Sequence, residues 1–149
     1  MKPEFKSTEV EKIINVRHQV LRIGKPIETC HFEGDDEFST LHFGMFINHE
    51  TIACVSLMKK KHHTIDDKNV YQLRGMAVLP EFQGQKIGQL LLRKAEQHLV
   101  NFGIETIWCN VRTSAIGFYK KNQYLQIGDV FEIPEVGSHV LMFKNLKCK

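Results

Sequence analysis

The chain has 149 residues, a length that fits one domain with a real core. Its hydrophobic fraction of 42% and charged fraction of 25% are ordinary for a globular protein, and a formal net charge of +3 is too small to argue for a nucleic-acid partner. No stretch approaches the roughly 18–20 apolar residues that span a bilayer, and Met1-Lys2-Pro3-Glu4-Phe5-Lys6 lacks the apolar core of a signal peptide, so a cytoplasmic chain without a membrane partner is expected.

A short first strand ends at Phe5-Lys6. Ser7 or Thr8 then caps a helix, with Glu11 three residues after Thr8 as in a capping box. Val10, Ile13, Ile14 and Val20 or Leu21 follow at helical spacing, and Gly24-Lys25-Pro26 closes the segment. From Ile27 to Thr40 the chain is irregular and acidic, with Glu28, Glu33, Asp35, Asp36 and Glu37. Leu41 to Ile47 and Thr51 to Met58 read as strands joined by Asn48-His49-Glu50, a spacing that predicts an antiparallel hairpin. Lys59-Lys60-Lys61-His62-His63 reads as a solvated loop ahead of a DNA patch, since Asp66 and Asp67 follow it. Adjacent histidines lack the i, i+4 geometry of metal ligands, so no metal is expected.

Val70 to Leu79 is the third long strand, interrupted by Gly75, which marks a bulge or a close backbone approach. A helix from about Gln83 to Asn101 carries Ile87, Leu90, Leu91, Ala95 and Leu99 and ends at Gly103. Ile104 to Val111 is a strand, Ser114 to Asn122 a short helix, and Tyr124 to Phe131 pairs with Val140 to Leu146. With no repeat, low-complexity tract or linker, residues 1–149 read as a single domain. The element order predicts an α/β (α+β) fold, a mixed sheet with helices on both faces. Cys30, Cys54, Cys109 and Cys148 are far apart and form no CxxC pair, so they read as buried, reduced thiols.

The segment Val78 to Gly88 carries the clearest chemistry. It joins an apolar strand to a helix start through a short, basic, glycine-containing turn. The first turn of a helix has unpaired N–H donors and a positive dipole end, which together attract phosphate. Gly84 and Gly88 leave room for an anion and Lys86 adds a full charge, although a plain strand-to-helix turn uses the same residues. It is neither a Walker loop, since Gln89 and Leu90 follow the second glycine, nor a dinucleotide fingerprint, since Lys86 stands where that motif needs glycine.

From Met76 to Gly88 the chain resembles, without insertion or deletion, the acyl-CoA loop V-x-P-x-x-Q/R-G-x-G-I-G of the GCN5-related N-acetyltransferases (GNAT), with Lys86 in place of the middle glycine. If that position needs a positive φ, lysine costs about 1 kcal/mol or more but keeps the binding amides. Val111 to Tyr119 resembles the family's N-x-x-A-x-x-F/L-Y-x-x-x-G-F, with Arg112 for the asparagine and Gln123-Tyr124 for the final Gly-Phe. Ile14 to Leu21, the acidic stretch through Asp35-Asp36, Cys109-Asn110-Val111 and Gly137-Ser138-His139 are similar to the small ElaA/YjcF-like bacterial acetyltransferases, with Ser138 at a proline position. The resemblance spans the whole chain. It implies a GNAT-like mixed, mostly antiparallel central sheet, acetyl-CoA as cosubstrate, and direct attack of a primary amine in a ternary complex. The acyl carrier would lie in a V-shaped opening between the fourth and fifth strands. Met76 and Val78 would offer backbone groups to pantetheine, and Gln83, Gly84, Gln85, Lys86, Ile87 and Gly88 would hold the pyrophosphate. Asn110 and Tyr119 are also expected on the cofactor.

Tyr119 matches the tyrosine that protonates the departing thiolate in many members, a reaction suited to a phenol of pKa about 10. Phe118 and Tyr119 as plain core aromatics is the competing reading. Removing the acceptor's proton needs a base, yet Gln72-Leu73-Arg74-Gly75-Met76 holds no carboxylate. His139, His42 and Glu33 are the candidates, with His139 preferred because histidine titrates near neutrality, and a structural histidine the alternative. Arg74 either orients an acidic part of the acceptor or pairs with Asp35 or Asp36. Glu33 and Asp35 belong to a loop that is either solvated or a wall attracting a cationic amine. The expected partner is a small-molecule or peptide amine, with the acceptor's identity, acyl length and a homodimer left open. The rival reading is a catalytically inactive module of the same fold that senses acyl-CoA.

Overall fold

The computed structural model describes residues 2–146, so Cys148 lies outside it. In chain order the elements are β1 (Glu4–Ser7), α1 (Ile14–Leu21), β2 (Leu41–Ile47), β3 (Glu50–Lys59), β4 (Val70–Val78), α2 (Ile87–Asn101), β5 (Thr106–Arg112), α3 (Ile116–Lys121), β6 (Leu125–Ile133) and β7 (Gly137–Asn145). The seven strands form the mixed, mostly antiparallel sheet expected from the sequence, with β4 and β5 as a parallel pair. Among the described residues no helix is long and apolar enough to cross a membrane. The chain divides into two compact units, one running to Lys59 and including Leu73–His98, the other comprising Lys60–Gln72 and the chain from Leu99 on.

In the first unit the strand order is β1-β2-β3-β4. The β2–β3 connection is tighter than the sequence suggests, because Glu50 already pairs with Ile47. Asn48 and His49 alone make the turn, both at positive φ (50° and 69°), as a two-residue hairpin loop of matching twist requires. The interiors of β2 and β3 are almost continuously buried, as apolar runs interrupted by the polar His42 and Ser56. Ile13 and Val16, Phe43 and Met45, Val55 and Leu57, and Leu91, Leu92 and Ala95 supply the buried apolar residues.

The capping box does not form. The extended residue before the first turn is Glu9, one position later than Thr8, and the Thr8 hydroxyl donates to the Glu9 carbonyl at 3.5 Å. A 3-10 turn at Val10–Lys12 then leads into α1. Likewise α2 starts at Ile87 and not near Gln83, because Pro80–Phe82 forms a separate 3-10 turn.

Arg17 sits in the middle of the apolar face of α1 and is fully buried. Its Nη1 donates to the Cys30 carbonyl (2.8 Å) and Asp35 Oδ2 (2.7 Å), and its Nη2 to Asp35 Oδ1 (2.9 Å) and Ser56 Oγ (2.8 Å). Asp35 Oδ2 also accepts the Phe32 N–H at 2.7 Å. His42 Nε2 donates to the Asp35 carbonyl (3.0 Å), which leaves Nδ1 to accept the Ser56 hydroxyl (2.6 Å). Burial pushes the Asp35 carboxyl up, but Arg17, the Phe32 N–H and, least, His42 outweigh it and hold the group below its ordinary value of 3.8.

Gly75 explains itself here. It has φ +64°, and a Cβ at this position would meet Phe32 Cε2 at 2.9 Å. The glycine is the close approach that one sequence reading expected, letting the Phe32 ring lie against β4. Nearby, Cys54 is buried with its Sγ 3.5 Å from the Gly75 carbonyl, and burial, only partly opposed by Arg17, pushes its thiol up to about 12.

In the second unit the first three residues of β4 pair with Thr106–Trp108 of β5, and the order is β4-β5-β7-β6. Trp108, Val70 and Leu141 form a small core flanked by Ile65, Ile127 and Phe143. The Trp108 indole N–H donates to the Lys60 carbonyl at 2.8 Å, and His62 meets the indole edge-on at 4.9 Å, so the basic segment is anchored by its backbone and one ring. At the end of α2, Ile104 N–H bonds the Leu99 carbonyl and Gly103 N–H the Val100 carbonyl, with Gly103 at φ +77° as the expected C′ residue.

Asp35→Asn leaves the Arg17 charge buried without its counter-ion, and urea unfolding at neutral pH is expected to show a loss of about 3–5 kcal/mol. Because the folded carboxyl titrates below its unfolded value, its contribution is complete above about pH 5 and is lost as pH falls through the folded value. The gap between wild type and variant therefore narrows on acidification; a gap constant from pH 7 to pH 3 would remove the charged pair from the stability of the fold.

Candidate functional site

The loop between β4 and α2 is built mostly from main chain. Gln83 Nε2 turns back to donate to the Val78 carbonyl at 2.8 Å, and Gln85 Nε2 to the Glu81 carbonyl at 3.3 Å. These two amides therefore brace the loop, and the Val78 carbonyl, one of the backbone groups expected near pantetheine, already accepts one bond. Gly84 lies at φ +80° with nothing within 4 Å of where a Cβ would be. Lys86 lies at φ +65°, so the left-handed conformation on which its cost depended is present. Its carbonyl accepts the Leu90 N–H at 3.1 Å, which makes Lys86 the residue from which α2 springs. Among the described residues the N–H groups from Gly84 to Gly88 meet no acceptor. Gly84, Gln85 and Lys86 are exposed, Gly88 is half-buried and Ile87 is buried. An exposed row of free amides at a helix start, with an open glycine and a lysine, fits a pyrophosphate. Met76 and Val78, both half-buried on β4, precede it in the same unit.

In the other unit Tyr119 stands on α3, buried, with its ring edge-on to Phe118 (5.1 Å) and Tyr124 (5.2 Å). Burial, reinforced by Cys109, pushes its phenol well above the ordinary value of 10, and its hydroxyl makes no hydrogen bond among the described residues. The end of α3 fixes this ring. Tyr124 N–H bonds the Tyr119 carbonyl and Gln123 N–H the Lys120 carbonyl, both at 3.0 Å, while Gln123 takes φ +71°. That is the same C-terminal motif as in α2, including the apolar contact between its two ends. Here a glutamine holds the left-handed position that suits glycine.

His139 on β7 is buried and pairs in register with Arg112 of β5 and Phe131 of β6. Its Nδ1–H donates to the Gly137 carbonyl at 2.8 Å, which leaves Nε2 as the ring's lone-pair nitrogen, unpartnered among the described residues. Asn110 is exposed on β5. Of the other base candidates, His42 has both ring nitrogens engaged, and Glu33 is exposed on its loop.

Arg74 is half-buried, and its pairing differs from the expectation. Asp35 goes to Arg17, Asp36 is exposed, and the Arg74 guanidinium lies over the Phe32 ring at 4.7 Å. Arg17 and Arg22 lie over the same ring at 3.9 and 5.4 Å. Burial, then Arg17, then Arg22 lower the Arg74 pKa, with Asp35 and Glu33 opposing. Sequence reasoning missed Arg17 and Phe32 as organisers of this cluster. The available signal was a lone arginine on an otherwise apolar helical stripe, since residues 13, 14, 17, 20 and 21 share one face. Among the described residues no three His, Cys, Asp or Glu side chains are grouped to hold a metal ion.

Residues 10–124 match the family described as Acetyltransferase (GNAT) family. The chain is 33% identical over 144 residues to the uncharacterized N-acetyltransferase YitI of Bacillus subtilis (strain 168), covering 97% of each protein. Its fold is similar to that of Escherichia coli ElaA, with a TM-score of 0.77 at 16% identity over 97% of this chain and 100% of that one. It is similar also to PaiA N-acetyltransferase from Thermoplasma acidophilum, a structure in complex with coenzyme A, with a TM-score of 0.70 at 20% identity over 97% and 99% of the two chains.

The left-handed glutamine can be tested without any ligand. Gln123→Gly is expected to raise the unfolding free energy by about 1 kcal/mol, read from thermal or urea melts. Unchanged or lowered stability would mean that the glutamine side chain compensates its backbone.

Proposed function

We propose that this chain, which belongs to the acetyltransferase (GNAT) family and is an acyltransferase, moves an acetyl group from acetyl-CoA to a primary amine by direct attack in a ternary complex. The observation that carries the reading is the row of free amides from Gly84 to Gly88 at the start of α2. Those amides, with Gln83 and Gln85 bracing the turn and Lys86 supplying charge, are assigned to the pyrophosphate. Backbone groups at Met76 and Val78 are assigned to pantetheine, with the Gln83 contact at the Val78 carbonyl as a competitor. Asn110 is assigned to the cofactor.

The reaction needs three things from the protein. The thioester oxygen gains charge as the amine attacks, and a backbone N–H on β4 is assigned to it. The amine must lose a proton, and the open Nε2 of His139 is the assigned base, directly or through water. The departing thiolate needs a proton, assigned to Tyr119. A phenol held well above its ordinary pKa keeps that proton at neutral pH, and with no internal hydrogen bond its hydroxyl is free to donate. CoA release that depends on added amine separates this activity from simple sensing of acyl-CoA.

Two measurements test the assignments. In a calorimetric titration, wild type is expected to bind acetyl-CoA at micromolar concentration and Lys86→Glu more weakly by roughly tenfold or more, from one charge reversal beside a diphosphate. No binding at millimolar ligand would reduce the loop to a turn. Separately, Tyr119→Phe should cut turnover on the order of a hundredfold, as for loss of a general acid, with acetyl-CoA affinity nearly unchanged. Equal turnover would remove Tyr119 from the chemistry.

A further inference from the structure

We infer that the Arg74 guanidinium, held against Phe32 beside Arg17 and Arg22, is the docking point for a carboxylate on the acceptor, so that the substrate class is an amine bearing a carboxylate. This deepens the acetyltransferase reading above and rests on it. Three guanidinium groups share one phenyl ring, at 3.9, 4.7 and 5.4 Å. Like charges brought together need counter-charge, and among the described residues Arg17 alone of the three forms an ion pair, with both its Nη atoms bound to Asp35. Arg22 reaches no carboxylate among the described residues, and its Nε makes one long contact of 3.4 Å to the Thr29 carbonyl. Arg74 makes no hydrogen bond or ion pair at all among them. Its nitrogens are also absent from the sealed, unpartnered atoms, which comprise Arg17 Nε and Asn122 Oδ1. The Arg74 donors are therefore open to a ligand while the rest of the side chain is half-buried.

The geometry is prepared in advance. Asp35 fixes Arg17, Arg17 and the glycine at position 75 fix Phe32, and the Arg74 guanidinium lies over Phe32. A planar fork held over an aromatic ring, with its donors unspent, suits bidentate carboxylate recognition and loses little entropy on binding. Asp35 and Glu33 partly offset the local positive charge, which favours a singly charged anion over a dianion such as phosphate. Glu33, exposed on the same loop, is available to the acceptor's ammonium group. Met76, assigned to the acyl carrier, lies only two residues along β4, so a compact amino acid suits the interval.

The test uses the intact chain and a series of acceptors from glycine to 6-aminohexanoate, each beside its neutral amide. At least one carboxylate is expected to exceed its amide in kcat/KM by roughly tenfold to a hundredfold, the worth of a charged hydrogen-bonded pair. Arg74→Ala and Arg74→Lys should erase most of that ratio through KM while leaving acetyl-CoA binding intact. Arg74→Glu should shift the preference to diamines such as cadaverine. Equal use of acid and amide by wild type, or a preference for O-phosphoethanolamine, would overturn the inference and leave the acetyltransferase reading standing. A second arm does not need turnover: the N-acetylated acids are titrated while the Arg74 Nε–Hε resonance is followed by NMR. A saturable shift with the acids and none with the amides supports the docking point even if no amine is acetylated, in which case the proposed reaction is what fails. No shift, or the same shift with both, overturns the docking point.

Discussion

One buried ion pair organises the first unit. Arg17 and Asp35 are both withdrawn from water, and such a pair repays its desolvation only when its remaining donors and acceptors are satisfied. Here nearly all are, by the Cys30 carbonyl, Ser56 and the Phe32 N–H. Cys30 and Phe32 belong to the irregular acidic segment and Ser56 to β3, so the pair ties α1 to both. His42 extends the tie to β2 through Ser56 and the Asp35 carbonyl. An apolar pair of similar volume could fill the space, but it would not specify where residues 27–40, which contain little regular structure, must run.

From that segment the order spreads to the candidate acceptor cluster. Phe32 is placed by its own N–H bond to Asp35 and by the guanidinium stacked on its face. Gly75 admits it against β4. The sharpest electrostatic feature of the unit is thus positioned by a loop, and the loop by a charge pair. A structure made this way has little slack: loss of the Asp35 charge would loosen the ring and its arginines together.

Much of the fold was legible in the sequence because the relevant signals are local. Long, mainly apolar runs marked β2, β3 and β4, and Gly103 marked the end of α2. Helix starts were less legible, since short 3-10 turns at Val10–Lys12 and Pro80–Phe82 shift the first residue without altering the apolar periodicity. The loop at Gly84–Gly88 could be read from residue types, and its amides are indeed free, but that two glutamines spend their side chains within it could not. The partner of Asp35 was hidden for another reason. Asp35 and Arg17 are 18 residues apart, and nothing local distinguishes that pairing from one with Arg74. Two residues other than glycine, Lys86 and Gln123, hold left-handed positions where the family pattern has glycine. Each is a small stability cost that only backbone geometry reveals.

The burial of Cys54 has a consequence for the order of chemical events. An acetyl group delivered through a protein thiol would require an acyl-enzyme, and the nucleophile that forms one is the thiolate. With its pKa pushed up to about 12, Cys54 is ionised at neutral pH in only about one molecule in 10⁵. Even that fraction would meet an acyl donor only if a sealed interior opened. A thiol this close to β4 that stays inert offers no place to park an acyl group, which is what the proposed direct attack of an amine on the thioester asks of it.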